Sequence, residues 1–304
     1  MTKVSVKIPA TSANLGPGFD TLGMALSFYD NYSAEVIDSG LEITVVGEGE
    51  QDIARDSSNL IYSTIAFVFA KFGKTVPPLR ITCHNNIPHG RGMGSSGAAV
   101  SGGVMLAAGL LKPEIQLTEQ QLLNFATELE GHPDNVAPAL FGGLTIAWKD
   151  ESGPHHKKLT VHRGVSPLVL VPPNQMSTKL ARSLQPESVP HTDAVFNVSR
   201  SALLVAALTQ SPELMFAATE DRLHQNYRAS AMPETSKLIE QLRAQGHPAV
   251  VSGAGPSVLV LEDDPAKRVA AVMFVEREFP TWKPLSLAVD FKGASLEVQS
   301  GSGV

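Results

Sequence analysis

The sequence has little of several features that define common protein classes. It contains a single cysteine, Cys83, so no internal disulfide can form, and a lone thiol fits a reducing compartment. No stretch of about 18 or more residues is purely apolar, and residues 1–10 lack the apolar segment of a signal peptide. These absences predict a cytoplasmic protein that has no membrane partner.

Positive charge is also scarce. The 24 Lys and Arg residues are outnumbered by 30 Asp and Glu, which gives a formal net charge of −6, and no Lys/Arg cluster stands out. Nucleic-acid-binding domains normally carry a basic patch, so we expect no nucleic-acid partner. With 304 residues, 43% hydrophobic and 18% charged, the chain has the composition of a globular enzyme and room for two domains.

What the chain does contain is a glycine- and serine-rich loop followed by a helix of small residues, PHGRGMGSSGAAVSGGVMLAAGLL over residues 88–111. Its four glycines between residues 90 and 97 would let the backbone approach a ligand closely. Ser95 and Ser96 fall where the helix is predicted to start, and there the unpaired N–H groups and the helix dipole favour an anion. The segment predicts a phosphate site.

The alternative is a flexible turn without a ligand. Gly102 and Gly103 weigh against it, since each glycine costs a helix about 1 kcal/mol relative to alanine, so their presence suggests close backbone packing. A loop on a tightly packed helix is held still. We therefore favour the phosphate site over the turn.

Two better-known phosphate motifs fit less well. The segment Gly92–Gly97 satisfies the G-x-G-x-x-G pattern of dinucleotide-binding proteins, but Pro88 interrupts the strand that should precede it. Residues 73–75 read Gly-Lys-Thr like the end of a Walker A loop, yet Val68 occupies the position of its first glycine. The first match is weak and the second fails.

The remaining pattern predicts a mixture of strands and helices. Residues 3–8 alternate polar and apolar side chains, which predicts a strand that Pro9 ends. Residues 32–37 and 41–46 are predicted to pair as a hairpin, and residues 131–143 to form a loop. That loop would bring His132, Asp134 and Asn135 together.

The second half of the chain carries another glycine loop. Residues 252–257 read SGAGPS between two apolar strands, and two such loops in one chain favour a shared phosphorylated ligand. Residues 149–156 are rich in charge, glycine and proline, so we predict a domain boundary there, with domains over residues 1–152 and 153–304.

Three motifs in this order resemble the GHMP small-molecule kinases: PATSANLGPGFD from residue 9, PHGRGMGSSGAA from residue 88 and VVSGAGPSV from residue 250. Within that superfamily, the first motif together with HPDNVAPALFGG and PPNQMSTKLAR is similar to homoserine kinases. The resemblance covers nearly the whole chain.

The resemblance implies a two-domain α+β fold, with a ribosomal-S5-like N-terminal domain and a ferredoxin-like C-terminal domain. It also implies ATP and Mg²⁺ as cofactors, and transfer of the γ-phosphoryl group to the side-chain hydroxyl of L-homoserine, a step of threonine biosynthesis. The alternative within the superfamily is a mevalonate or sugar kinase. An oxidoreductase and a non-catalytic nucleotide-binding module are the alternatives outside it, and a homodimer is left open.

Site residues follow from the same resemblance. The residues implied to bind the nucleotide are Asn59, Pro88, His89, Gly90, Arg91, Gly92, Met93, Gly94, Ser95, Ser96, Gly97, Gly253 and Gly255. Those implied to bind the substrate are Asn14, Asp20, Asp134, Asn135, Thr178, Arg182 and Arg228. The implied catalytic set is Asn135, Asp134, Ser96 and Glu130, with Ser96 and Glu130 as the Mg²⁺ ligands.

Two of these assignments also have support from the residues themselves. Glu130 ends a predicted helix, where an acidic side chain opposes the helix dipole and a nearby cation would relieve the repulsion. Asn14 and Asp20 are the polar groups of a long predicted loop that can hold an amino or hydroxyl group.

Overall fold

The computed structural model describes residues 2–300, and strands and helices alternate along this range, which confirms the predicted α+β class. The last four residues of the predicted second domain lie outside it. The strands are β1 Thr2–Ala13, β2 Leu22–Val36, β3 Leu41–Gly47, β4 Leu79–Asn85, β5 Leu144–Asp150, β6 Gly153–Leu159, β7 Ser166–Val171, β8 Ala249–Val251, β9 Val258–Glu262, β10 Lys283–Ser286 and β11 Ser295–Ser300. The helices are α1 Leu60–Lys71, α2 Ser95–Leu111, α3 Glu119–Glu130, α4 Pro133–Phe141, α5 Thr178–Ser183, α6 His191–Thr209, α7 Met215–Ala218, α8 Gln225–Arg228, α9 Pro233–Ala244 and α10 Pro265–Glu278.

The larger sheet has seven strands in the order β11-β1-β2-β4-β3, with β5 on β2 and β6 on β5. The expectation that Pro9 ends the first strand is wrong, because β1 continues to Ala13 through a shift of register between Pro9 and Ala10. Proline lacks the N–H that a regular ladder needs, and a bulge is one of the places where a strand tolerates it.

The predicted hairpin between the second and third strands is also wrong. The β3 strand pairs with β4, in parallel, and β4 lies between it and β2. Two parallel neighbours need a crossover connection, which the intervening α1 helix supplies. Residues 41–85 thus form a βαβ unit, which their order of strand, helix and strand could have indicated.

Helix α2 is buried along most of its length, as the small-residue pattern predicted. A Cβ on Gly102 would overlap the ring of Tyr32, and one on Gly103 would lie 2.7 Å from the Thr64 side chain. Any larger side chain would push α2 away from the sheet and from α1. The first turn of α2 is therefore held in place by its own packing.

The segment predicted as a loop over residues 131–143 is mostly helix α4. Pro133 occupies its first turn, where the missing N–H costs nothing. Pro138 lies inside α4 and leaves the carbonyl oxygen of Asp134 without its helical partner. Two prolines near glycines are typical of a loop, so the local sequence pattern does not reveal this helix.

The smaller sheet is antiparallel and has the order β10-β7-β9-β8. The boundary predicted between residues 152 and 153 falls in the turn between β5 and β6, which pair with each other in the larger sheet. The last strand, β11, also returns to that sheet beside β1. The predicted domain bounds stay a prediction, and the strand pairing favours a boundary after Leu159. Within residues 2–300, no helix is both long and apolar enough to cross a bilayer.

Candidate active site

A cavity of about 490 Å³ opens where both glycine loops, the start of α4 and helix α5 meet. Most of the residues predicted for the nucleotide phosphates and the substrate line it. The predicted residues in its lining are Asn14, Asp20, Gly90, Gly92, Gly94, Ser95, Ser96, Glu130, Asp134, Asn135, Thr178, Arg182, Arg228, Gly253 and Gly255. Segments far apart in sequence therefore converge as the motif order suggested.

The two glycine loops pack directly against each other. A Cβ on Gly92 would overlap the carbonyl oxygen of Ser252, and the Ser252 hydroxyl donates to the carbonyl of Gly92 at 2.6 Å. The hydroxyls of Ser12 and Ser252 lie 2.9 Å apart. Ser12 and Ser252 were not predicted as site residues; their small polar side chains in motifs next to glycine were the available signal.

Gly94 precedes α2 with a positive φ of 70°. A Cβ at this position would overlap the Thr11 hydroxyl and would lie 3.1 Å from Oδ1 of Asn135. Thr11 Oγ1 in turn donates to Asn135 Oδ1 at 2.8 Å. The start of α2 thus approaches the Asn135 amide closely only because residue 94 has no side chain.

Ser96 and Glu130 meet where the first turn of α2 lies beside the last turn of α3. The Ser96 hydroxyl donates to Oε2 of Glu130 at 2.8 Å. Burial raises the pKa of the Glu130 carboxyl, while the Ser96 hydrogen bond and the charge of Arg182 oppose that shift.

An oxygen pair of this kind suits Mg²⁺, which commonly takes one or two protein ligands together with phosphate oxygens and water. Over residues 2–300, no group of three or more His, Cys, Asp or Glu side chains could hold a metal by itself. An ion bound at Ser96 and Glu130 would take its further ligands from water or from phosphate oxygens.

Asp134 is buried in the wall of the cavity, and its Oδ1 has no hydrogen-bond partner. Burial raises the pKa of this carboxyl to about 7, and the nearby charge of Asp20 adds to the shift, while Arg182 opposes it. A buried carboxylate without a partner is unfavourable unless a ligand supplies one. Asp134 lines the cavity, so its carboxyl is the candidate acceptor there for a donor group of a ligand.

Two arginines face the same space. Arg182 forms a fork with Asp20, with Nη2 to Oδ1 at 2.9 Å and Nη1 to Oδ2 at 3.2 Å. Arg228 is 2% exposed, its Nε has no partner, and its Nη1 lies 3.5 Å from the carbonyl oxygen of Gly253. Burial lowers the pKa of Arg228, and the positive charge of Arg182 adds to this.

Asn14 was predicted to contact the substrate, but both its amide nitrogen and its amide oxygen are hydrogen-bonded to the protein. Its Nδ2 donates to the carbonyl of Gly253 at 2.8 Å, and its Oδ1 accepts from the backbone N–H of Asp20 at 2.9 Å. Asn14 and Asp20 both have positive φ, an unusual conformation for residues other than glycine. Asn14 therefore holds the loop that presents Asp20 to Arg182.

A second cavity of about 240 Å³ adjoins the first, since Ser95 and Ser96 line both. Its walls are mostly apolar, as a nucleobase pocket requires. The lining consists of Tyr32, Ile53, Asn59, Leu60, Ile61, Cys83, Asn85, His89, Ser95, Ser96 and Ala99.

Asn59 lines this second cavity, as predicted, but its amide is already in use. Its Oδ1 accepts from the N–H of Ile61 at 3.0 Å as the cap of α1, and its Nδ2 donates to the carbonyl of Ala54 at 2.8 Å. Asn85, which was not predicted, has a buried Oδ1 without a partner. Asn59 therefore has no amide atom left for a base, and the unpartnered oxygen of Asn85 is buried in the cavity wall.

The rest of the predicted phosphate loop supports the cavities from behind. Met93 is fully buried, and a Cβ on Gly97 would lie 3.1 Å from Cβ of Asn135. His89 lines the second cavity. Pro88 and Arg91 line neither, and the Arg91 guanidinium bonds to protein oxygens instead.

Comparisons with known proteins identify the family of the chain. The sequence matches the family described as GHMP kinases N terminal domain over residues 59–143 and the one described as GHMP kinases C terminal over residues 199–279. Homoserine kinase from Clavibacter michiganensis subsp. michiganensis is 61% identical, covering 97% of this chain and 94% of that protein. Homoserine kinase from Leifsonia xyli subsp. xyli is 62% identical, covering 96% of this chain and 91% of that protein.

The fold has the same relatives. The crystal structure of homoserine kinase from Cytophaga hutchinsonii superimposes with a TM-score of 0.84 at 24% identity and covers 97% of both chains. The predicted GHMP resemblance and two-domain α+β architecture are confirmed by these matches. The chain belongs to the homoserine kinase family of the GHMP kinases.

Proposed function

We propose that the protein transfers the γ-phosphoryl group of ATP to the side-chain hydroxyl of L-homoserine, giving O-phospho-L-homoserine in the cytoplasm for threonine biosynthesis. The observation that carries the proposal is the composition of the larger cavity. It joins a glycine loop at a helix start to buried groups of both charges, Asp134 and Arg228, whose side chains have unpartnered atoms. The name shared by the relatives supports the same activity.

The nucleotide would occupy both cavities. The backbone N–H groups of residues 90–97 and the start of α2 suit the triphosphate. The smaller cavity suits adenine because its walls are mostly apolar. Ser96 and Glu130 would hold Mg²⁺, which would neutralise negative charge on the phosphates. ATP would supply the phosphoryl group that is transferred.

Homoserine is a zwitterion, so its site must compensate both the ammonium and the carboxylate charge. Asp134 lines the cavity and would accept hydrogen bonds from the ammonium. Arg228 would bind the carboxylate, and Arg182 would add the N–H groups that its fork with Asp20 leaves over. Thr178 lines the cavity at the first turn of α5 and would complete the pocket.

The residues around the hydroxyl favour positioning over proton abstraction. Asn135 would hydrogen-bond to the attacking hydroxyl, and Thr11 fixes the orientation of the Asn135 amide at 2.8 Å. Phosphoryl transfer passes through a loose transition state, so alignment and charge stabilisation matter more than early deprotonation. We assign Asp134 to substrate binding first.

Mevalonate or a sugar is the alternative acceptor within the superfamily. Neither carries an ammonium next to a carboxylate, so neither would compensate Asp134 and Arg228 together. The burial of both charges therefore favours an amino acid.

The test is a coupled assay of ADP release with homoserine, serine, threonine, mevalonate and galactose as acceptors. We expect homoserine to give the highest kcat/KM. No rate above background with homoserine, while another acceptor reacts, would contradict the proposed substrate but leave the kinase assignment intact.

A further inference from the structure

Arg91 lies in the middle of the phosphate loop, yet its guanidinium is bonded to the protein on several sides. Nε donates to the carbonyl of Pro172 at 3.1 Å, and Nη2 donates to that of Pro173 at 2.9 Å. Nη1 donates to Oε1 of Glu48 at 2.8 Å and to the carbonyl of His89 at 3.3 Å. The side chain is 17% exposed.

These contacts join two functional segments. Residues 172–176 lead directly into α5, which carries Thr178 and Arg182 into the larger cavity. A further hydrogen bond links the same segments, from the N–H of Met176 to the carbonyl of Gly90 at 2.8 Å. The phosphate loop and the approach to α5 are therefore tied at residues 90 and 91.

Reassigning Arg91 to a phosphate would be unfavourable. Turning the guanidinium toward the cavity would break its bonds to three carbonyls and to Glu48 and would leave those groups without the donor. Glu48 also neutralises the positive charge of Arg91, which a bound phosphate would otherwise attract. A guanidinium fork suits this task because its donors reach several acceptors in fixed directions.

We infer that Arg91, supported by Glu48, is a positioning residue that couples nucleotide binding to homoserine binding. The inference rests on the proposed function, since it assumes that residues 90–97 hold the phosphates and α5 the amino acid. Ordering the loop around a nucleotide would then order α5, so each ligand raises the affinity for the other by the same factor.

Calorimetry measures this coupling directly. L-homoserine is titrated into the protein with Mg²⁺, with and without a non-hydrolysable ATP analogue, and the nucleotide is titrated alone. For the wild type we expect the analogue to tighten homoserine binding by a factor in the range of roughly 5 to 150. Arg91→Ala should bring that factor close to one. The affinity for the nucleotide alone should change less than about threefold, which is smaller than typical coupling factors.

Further variants sharpen the test. Arg91→Lys keeps the charge without the fork and should restore only part of the coupling. If Arg91→Ala does not fold, Glu48→Gln takes its place, and it should also weaken the coupling. Arg80→Ala is the matched control, because Arg80 also pairs with glutamates, Glu35 and Glu42, but on the exposed face of the sheet.

Two results would overturn the inference. One is a wild-type coupling factor that persists in Arg91→Ala. The other is a loss of about tenfold or more in nucleotide affinity alone with the coupling intact, a loss that 1.4 kcal/mol of direct phosphate contact would give. A wild type that binds the nucleotide but never homoserine would instead contradict the proposed substrate, so the two failures are distinguishable.

Discussion

Asp134 and Arg228 are charged residues buried in the wall of the cavity, and each has an atom that no protein group satisfies. Such burial opposes folding and persists where a ligand compensates it. A zwitterionic ligand would satisfy both at once. We therefore expect these two residues to determine which acceptor the site selects, and their substitution to separate substrate binding from the chemical step.

The raised pKa of Asp134 predicts a pH dependence. Its pKa of about 7 means that the carboxyl of the free enzyme is protonated below that pH, and the protonated form cannot accept a full set of bonds from an ammonium. We expect kcat/KM for homoserine to fall about tenfold per pH unit below about 7, whereas kcat, which reports the complex, should fall only at lower pH.

Asp134→Asn is the control for this profile. Its kcat/KM should be low and should lose the acidic limb; a limb that stays in the variant would assign the titration to another group. Because the folded pKa lies above the ordinary value of 3.8, ionisation opposes folding as pH rises through about 7. The variant should therefore be at least as stable as the wild type at pH 8, which separates lost function from misfolding.

Arg228→Ala should raise KM for homoserine by roughly 10- to 100-fold and leave kcat nearly unchanged, since a charged hydrogen bond to the carboxylate is lost in both the ground and transition states. Arg228→Lys should give a smaller rise, because lysine lacks the fork. Steady-state kinetics at saturating ATP measures both. A fall in kcat with unchanged KM would place Arg228 at the transferring phosphate instead.

Glu130→Gln removes a charge from the proposed Mg²⁺ pair. We expect kcat to fall roughly 100-fold, as loss of an electrostatic contact to the transition state commonly does. The Mg²⁺ concentration needed for half-maximal rate should also rise. A Mg²⁺ titration of the ADP-release rate checks both, and wild-type kcat in the variant would remove Glu130 from the metal site.

At the scale of elements, the site depends on how α2, α4 and the two glycine loops approach one another. The close contacts at Gly94 give a test with a matched control, Gly73, which also has positive φ but no atom within 4 Å of its added Cβ. Gly94→Ala should displace the start of α2 from Thr11 and Asn135 and lower kcat/KM for ATP about 100-fold.

Gly73→Ala carries the same backbone strain, about 1–2 kcal/mol, without any contact at the site. It should lower the thermal midpoint but leave kcat/KM unchanged. Equal loss of activity in both variants would show that backbone strain, and not the contact at Gly94, limits the enzyme.

Elements of this site differed in how far the sequence could predict them. The phosphate loop and α2 were predictable because glycine and serine at a helix start have a local cause. The burial of Asp134 was not, because it depends on α4 packing against β2, where Gly23 leaves no room for a Cβ beside the Asp134 carbonyl. The free Oδ1 of Asn85 likewise follows only from tertiary contacts.

At the scale of the whole molecule, the two sheets are joined more closely than the predicted boundary implied. The charge and glycine content of residues 149–156 marks a hairpin turn, and no local pattern shows that β11 returns to β1. The largest apolar cluster includes Val4 from one sheet and Val169 and Leu259 from the other. Long-range pairing of this kind cannot be inferred from local sequence patterns.

This shared core predicts a single thermal unfolding transition in calorimetry. ATP analogue and homoserine together should raise its midpoint more than either alone, since binding at 100 times Kd adds about 2.7 kcal/mol to the free energy of unfolding. Two transitions, of which only one responds to ligand, would show that the halves unfold independently.

The central claim is that the two loops and the charged pocket serve one reaction, phosphoryl transfer to an amino acid. Phosphorus NMR of the protein with ATP, Mg²⁺ and L-homoserine tests it most directly. We predict the signal of O-phospho-L-homoserine growing in equal amount with ADP, and growing far more slowly when Asp134→Asn replaces the wild type at the same homoserine concentration. ADP accompanied only by inorganic phosphate, or by a phosphorylated acceptor of another class at higher kcat/KM, would contradict the claim.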